Sequence, residues 1–169
     1  MNKETLLTDL DVSTKNLTNV LSQFTDETLH CNRSETEWTA AQIAEHLLLM
    51  EVIANKAIAG ETITTNRPPD EKMGLIKWAM QDETKRVAPD SVIPSGQTWK
   101  PQEFIDRISH QRNKLRKAVE AVDITEACTL FKHPALGTLT RLEWVYFLIY
   151  HAERHLKQLA KLKEKETMN

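Results

Sequence analysis

Two histidines, His151 and His155, stand four residues apart in the last long apolar-periodic stretch of the chain, residues 140–163. A helix turns about 100° per residue, so positions four apart share nearly one face. Trp144, Leu148, His151, His155, Leu159 and Leu162 follow spacings of three and four and form one stripe. The opposite arc, Tyr146, Glu153, Arg154, Lys157 and Lys161, is expected in solvent. Imidazoles aimed into a hydrophobic interior are either neutral core side chains bonded to a neighbouring helix or a pair sharing one metal ion. A third ligand elsewhere decides between the two.

That ligand has a candidate in His46, which lies on the side of its segment shared by Ile43, Met50, Ile53 and Ala57. Its helix starts firmly, because Thr39 and Gln42 have the spacing of a capping box. It runs to about Ala59, where Gly60 suits the position after the last turn. This segment is apolar over an unusually wide arc that includes Leu47, Leu48, Leu49, Val52 and Ile58. One bundle core does not occupy all of it, so the following segment or a second copy of the chain covers the rest. A homodimer is the expectation.

Other elements must carry these three side chains. The first helix spans about 3–24, with Asn2 as its cap and Leu6, Leu10, Leu17, Val20, Leu21 and Phe24 as its stripe. Residues 25–36 read as a polar turn. Its His30 and Cys31 are metal donors by type and loop surface by position. Residues 61–100 form a long connection with a short helix over 72–86, and Trp78 and Trp99 serve it as packing or lid residues. Pro101 opens a helix to about Val122, with Phe104, Ile108, Leu115 and Val119 inward. Arg112 lies beside that stripe, where it snorkels or reaches a buried carboxylate or an anionic ligand. An irregular passage follows, and Thr140 with Glu143 forms the second capping box. The charged tail beyond residue 160 is expected to fray. Four long amphipathic segments without a convincing strand predict one all-α domain over 1–169, a four-helix bundle.

Composition narrows the function. A chain of 169 residues is long enough to bury a core, and its net charge of −2 gives no general attraction for nucleic acid or an anionic membrane. No run approaches the ~18 apolar residues of a membrane span, and the N-terminus lacks a signal-peptide pattern. Cys31 and Cys128 belong to no C-x-x-C motif, so reduced thiols in the cytoplasm are expected.

The block W-T-x-x-Q-I-x-E-H-L at 38–47 resembles the second-helix motif of the DinB/YfiT-like superfamily of candidate metalloenzymes. Residues 133–140 (HPALGTLT), Glu143-Trp144 and HAERHLKQL at 151–159 resemble that family's closing motif. The similarity covers most of the chain and is strongest at these two blocks. It implies up-down-down-up topology with a long crossover between the second and third bundle helices. It also implies a metal on His46, His151 and His155. Members include transferases and isomerases that use a small thiol, and homodimers are common among them.

Three neutral imidazoles leave a divalent ion at least one open position, with zinc or nickel best suited to an all-nitrogen set. Such an ion lowers the pKa of a bound water or thiol. The expected function is therefore activation of a low-molecular-weight thiol for transfer to a small-molecule substrate. Hydrolysis at the same site is the alternative, and a dimeric bundle that binds a ligand without catalysis is the non-enzymatic one. Ligating histidines need outer partners on their second nitrogen. Gln158 is preferred, beside Glu45, Gln42 and Glu143, and Arg112 is the candidate for gripping substrate.

Overall fold

A computed structural model describes residues 2–32, 37–82, 84 and 87–167, with side chains to residue 164. These residues form six helices: α1 (Lys3–Leu21), α2 (Asp26–His30), α3 (Ala40–Ala59), α4 (Met73–Gln81), α5 (Pro101–Ala121) and α6 (Arg141–Thr167). Two short strands, β1 (Thr62–Ile63) and β2 (Ala127–Cys128), pair antiparallel, with Thr62 opposite Cys128. The all-α expectation holds, and this small ribbon is an addition to it that ties the crossover to the α5–α6 connection.

Local chemistry starts the helices. Asn2 Oδ1 accepts from the Thr5 amide at 2.8 Å. Thr39 and Gln42 bond reciprocally at 2.9 and 3.2 Å, and so do Thr140 and Glu143 at 2.9 and 3.1 Å. Each pairing satisfies amides that the first turn leaves unbonded. Within the expected polar turn a third such box, Thr25 with Thr28, starts α2. The rest of that turn, 33–36, lies outside the described residues, as do three positions of the expected 72–86 helix and the last two of the tail. Gly60 caps α3 in an extended conformation. Gly137 does require positive φ, at +67°, because it closes a tight turn on His133 through two backbone bonds of 2.8 and 2.9 Å.

The bundle helices are α1, α3, α5 and α6. At one end of the core Leu6 and Leu10 pack with Met50, Ala57, Ile58, Leu115, Val119 and the start of α6. At the other Leu17, Leu21 and Phe24 pack with Ile43, Leu47, Phe104, Ile108 and Leu159. The beginnings of α1 and α6 therefore share an end with the finishes of α3 and α5. That is up-down-down-up. Parallel neighbours α3 and α5 require the long crossover that joins them.

Packing overrides the expected solvent arc of α6 at one position. Tyr146 is buried, and its hydroxyl donates to Asp9 Oδ2 at 2.7 Å, because α1 lies against that side. Burial, with the Asp9 carboxylate beside it, raises the Tyr146 pKa. Trp78, expected to pack or to act as a lid, points outward and is 64% exposed. Trp99 does pack, against Phe104 and under the Arg107 guanidinium, which stands 4.7 Å from its ring centre. The crossover takes up part of the wide apolar arc of α3 through the buried Val92, while Leu49, Val52 and Ile53 stay half-buried. No helix among the described residues is long and apolar enough to cross a membrane.

Candidate metal centre

α3 and α6 run antiparallel, so the second turn of α3 meets the middle of α6, and His46 arrives between His151 and His155. His151 Nε2 lies 3.2 Å from His46 Nε2 and 3.1 Å from His155 Nε2. All three rings are buried, and their nitrogens lie within 4.8 Å of one another. Two nitrogens each ~2.05 Å from a tetrahedral ion stand about 3.3 Å apart, close to the observed spacing.

The outer nitrogens fix the tautomers. His46 Nδ1–H donates to the Val92 carbonyl at 2.8 Å, and His155 Nδ1–H donates to Gln158 Oε1 at 2.7 Å. Both rings therefore present a bare Nε2 to the centre. His151 cannot resolve this. With its proton on Nε2 it serves one bare neighbour at a time. With its proton on Nδ1, three lone pairs converge and the donor is stranded, since buried Nδ1 has no partner among the described residues. A cation at the centre satisfies all three lone pairs at once, in the tautomer that keeps the His151 proton on Nδ1. The residues fit a divalent metal.

Electrostatics keep the set neutral. Burial lowers the His46 pKa, partly opposed by its bond to Val92. Burial and the neighbouring histidines and Arg154 hold His151 well below the usual imidazole range. Burial, with His46 beside it, takes His155 to about 4 despite Gln158. Neutral imidazole is the form that binds metal.

Flanking rings hold the triad. Phe147 stacks on His151 with centroids 5.5 Å apart and planes 10° apart, and Trp38 stands 5.0 Å from His46. Phe147 precedes His151 by one helical turn, so its contact was readable from spacing; the Val92 carbonyl, on an irregular segment, left no such signal.

Of the other sequence candidates, only Gln158 touches the triad. Glu45 is buried and accepts from the Ser95 hydroxyl at 2.5 Å. Gln42 is used in its capping box. Glu143, fully buried, accepts two bonds from Arg67 at 2.6 and 2.7 Å and the amides of Lys72 and Thr140, each at 2.9 Å. Arg112 does not snorkel: it is buried and holds Glu51 at 2.6 Å. Its guanidinium is thus committed to a carboxylate of the neighbouring helix, and burial of Glu51 without that pairing would be costly. His30 donates to the Trp99 carbonyl at 2.7 Å, apart from the triad.

Comparison with known proteins agrees with this architecture. The uncharacterized protein YuaE of Bacillus subtilis (strain 168) is 24% identical over 147 residues, covering 87% of this chain and 90% of its own. The crystal structure of TT2238, a four-helix bundle protein, aligns with a TM-score of 0.60 at 20% identity, over 95% of this chain and 99% of that one. YfiT from Bacillus subtilis, described as a probable metal-dependent hydrolase with an unusual four-helix bundle topology, aligns with a TM-score of 0.62 at 19% identity, over 98% and 87%. At these identities the structural likeness establishes the fold. Residues 9–159, which carry all three histidines, match the DinB superfamily, and the chain belongs to it.

Proposed function

We propose that this protein is a divalent-metal-dependent enzyme acting on a small molecule, with His46, His151 and His155 as ligands and a low-molecular-weight thiol as the nucleophile. The observation that carries the metal is the convergence of three Nε2 atoms whose outer nitrogens are, for two of them, already bonded. Zinc or nickel suits the all-nitrogen set. Bound there, the ion acts as a Lewis acid that lowers the pKa of a coordinated nucleophile.

The chain supplies the rest. The Val92 carbonyl and Gln158 hold two imidazoles in the tautomer a metal needs, and Phe147 and Trp38 pack against the rings of His151 and His46. Neutral ligands add no negative charge, so the ion keeps its full polarising power. A second reading, hydrolysis with water as nucleophile, is favoured by the description of the YfiT neighbour. A homodimer belongs to the same proposal, with Leu49, Val52 and Ile53 of α3 as the side chains a second copy would cover. A monomeric mass by light scattering at micromolar concentration would remove it.

Elemental analysis of untagged protein beside the His46→Ala/His151→Ala/His155→Ala variant tests the metal. About one equivalent in the wild type, absent from a still-folded variant, is the expected result. Wild type that is metal-free and cannot be loaded would make these core histidines and leave a non-catalytic binding bundle. Turnover that proceeds equally without added thiol would exclude the transferase in favour of the hydrolase.

A further inference from the structure

The second half of the crossover lies across the triad yet is weakly built. Of residues 87–98 only Val92 is buried; Val87 is 96% exposed and Ile93 49%. Its regular structure is one 3-10 turn, Asp90–Val92, closed by Val92 N–H to Pro89 O at 3.0 Å and Ile93 N–H to Asp90 O at 3.3 Å. The bundle holds it by side chains reaching its backbone or hydroxyls. Arg154 donates to the carbonyls of Asp82 and Thr84 just upstream. His46 donates to the Val92 carbonyl. Ser95 donates to Glu45, and His30 secures Trp99 downstream.

A segment with one buried apolar side chain and few backbone bonds sits at the low-stability end of a fold and opens locally. Here that one buried side chain, with Ala88 half-buried beside the core, belongs to the residue whose carbonyl orients a ligand. We propose that residues 87–98 are a strap that lifts from the bundle, and that Val92 is a positioning residue: its seated side chain brings the carbonyl onto His46 Nδ1 and so aims His46 Nε2 at the metal. The strap closed holds the ligand set complete; the strap lifted releases His46 and opens a route to the centre for metal and substrate. This rests on the metal reading above.

The test follows cobalt(II) release to a chelator by absorbance in the cobalt-loaded protein. Val92→Gly, which removes the anchor, is expected to speed release about 10-fold, the order by which outer partners of ligands act on metal affinity. Val92→Ala moves the same way by less, and Val92→Ile stays near wild type. Val119→Ala is the control: it is a valine buried as fully as Val92 and in the same core cluster, but on α5, which carries none of the three histidines. It lowers global stability without changing release. Release from Val92→Gly at the wild-type rate overturns the proposal, and so does equal acceleration in Val119→Ala, which would mean global opening. Wild type that takes up no cobalt is a distinct failure, seen in stoichiometry before any rate, and removes the metal reading and the strap together.

Discussion

One helix, α6, carries two buried polar sites about two turns apart, and they have opposite character. Near its start Glu143 is an anion. Burial pushes its pKa up, but Arg67 and the amides of Thr140 and Lys72 more than offset this and hold it below the usual carboxylate value. Farther along, His151 and His155 are held neutral by burial and by their neighbours, and their lone pairs converge on His46. Both sites secure the crossover. Glu143 clamps its first half, helped by Lys72 Nζ on the carbonyls of Leu136 and Thr138 at 2.6 and 2.8 Å and by Thr140 on Pro69 O at 2.7 Å. The triad holds the second half by the single bond from His46 to Val92. A buried polar group whose every lone pair is matched by a donor is a lock; one whose lone pairs face each other is a place for a ligand.

The largest effect that could break this comparison is at the lock. Glu143→Ala takes the carboxylate from Arg67, which keeps only the carbonyls of Pro68 and Thr138, and leaves two amides without an acceptor. It is expected to cost about 3 kcal/mol, discounted for the partial exposure of Arg67. Urea unfolding measures it, and metal content per folded protein should not change. Loss of metal from folded Glu143→Ala would show that the two sites are one unit.

Acid separates the two sites next. In metal-free protein the triad pKa values are depressed on folding, so the unfolded chain binds more protons below about pH 6.5. Their contribution is complete above that pH and is lost as pH falls towards about 4 for His155, amounting to about 3 kcal/mol for that residue alone. Glu143 is also depressed, from 4.5, so its contribution is lost only below that value. Chemical denaturation from pH 7 to 3 should therefore show two falls. His155→Asn should remove part of the first and leave the second; a single fall below pH 4.5 in the wild type would mean the triad is not held neutral.

The smallest effect sharpens the ligand side. Gln158→Leu removes the acceptor from His155 Nδ1 and should weaken zinc binding about 10-fold with little change in unfolding. Competition with a chelating dye reads it. Unchanged affinity would show that the Gln158 bond leaves the ligand's tautomer and aim as they were.

What could be read from the sequence was local in cause. The boxes Thr39–Gln42 and Thr140–Glu143, the apolar stripes and the shared face of His151 and His155 depend on contacts three and four residues apart, which helical geometry settles before any tertiary packing. Gln158 followed from the same spacing. Only the tertiary structure decided the rest. The burial of Tyr146 rests on Asp9, the committal of Arg112 on Glu51, and the outer bond of His46 on a carbonyl of the crossover. These pairings join segments far apart in the chain. Each depends on the path of a long connection and on which helices it leaves parallel, and no periodicity in the sequence encodes that path.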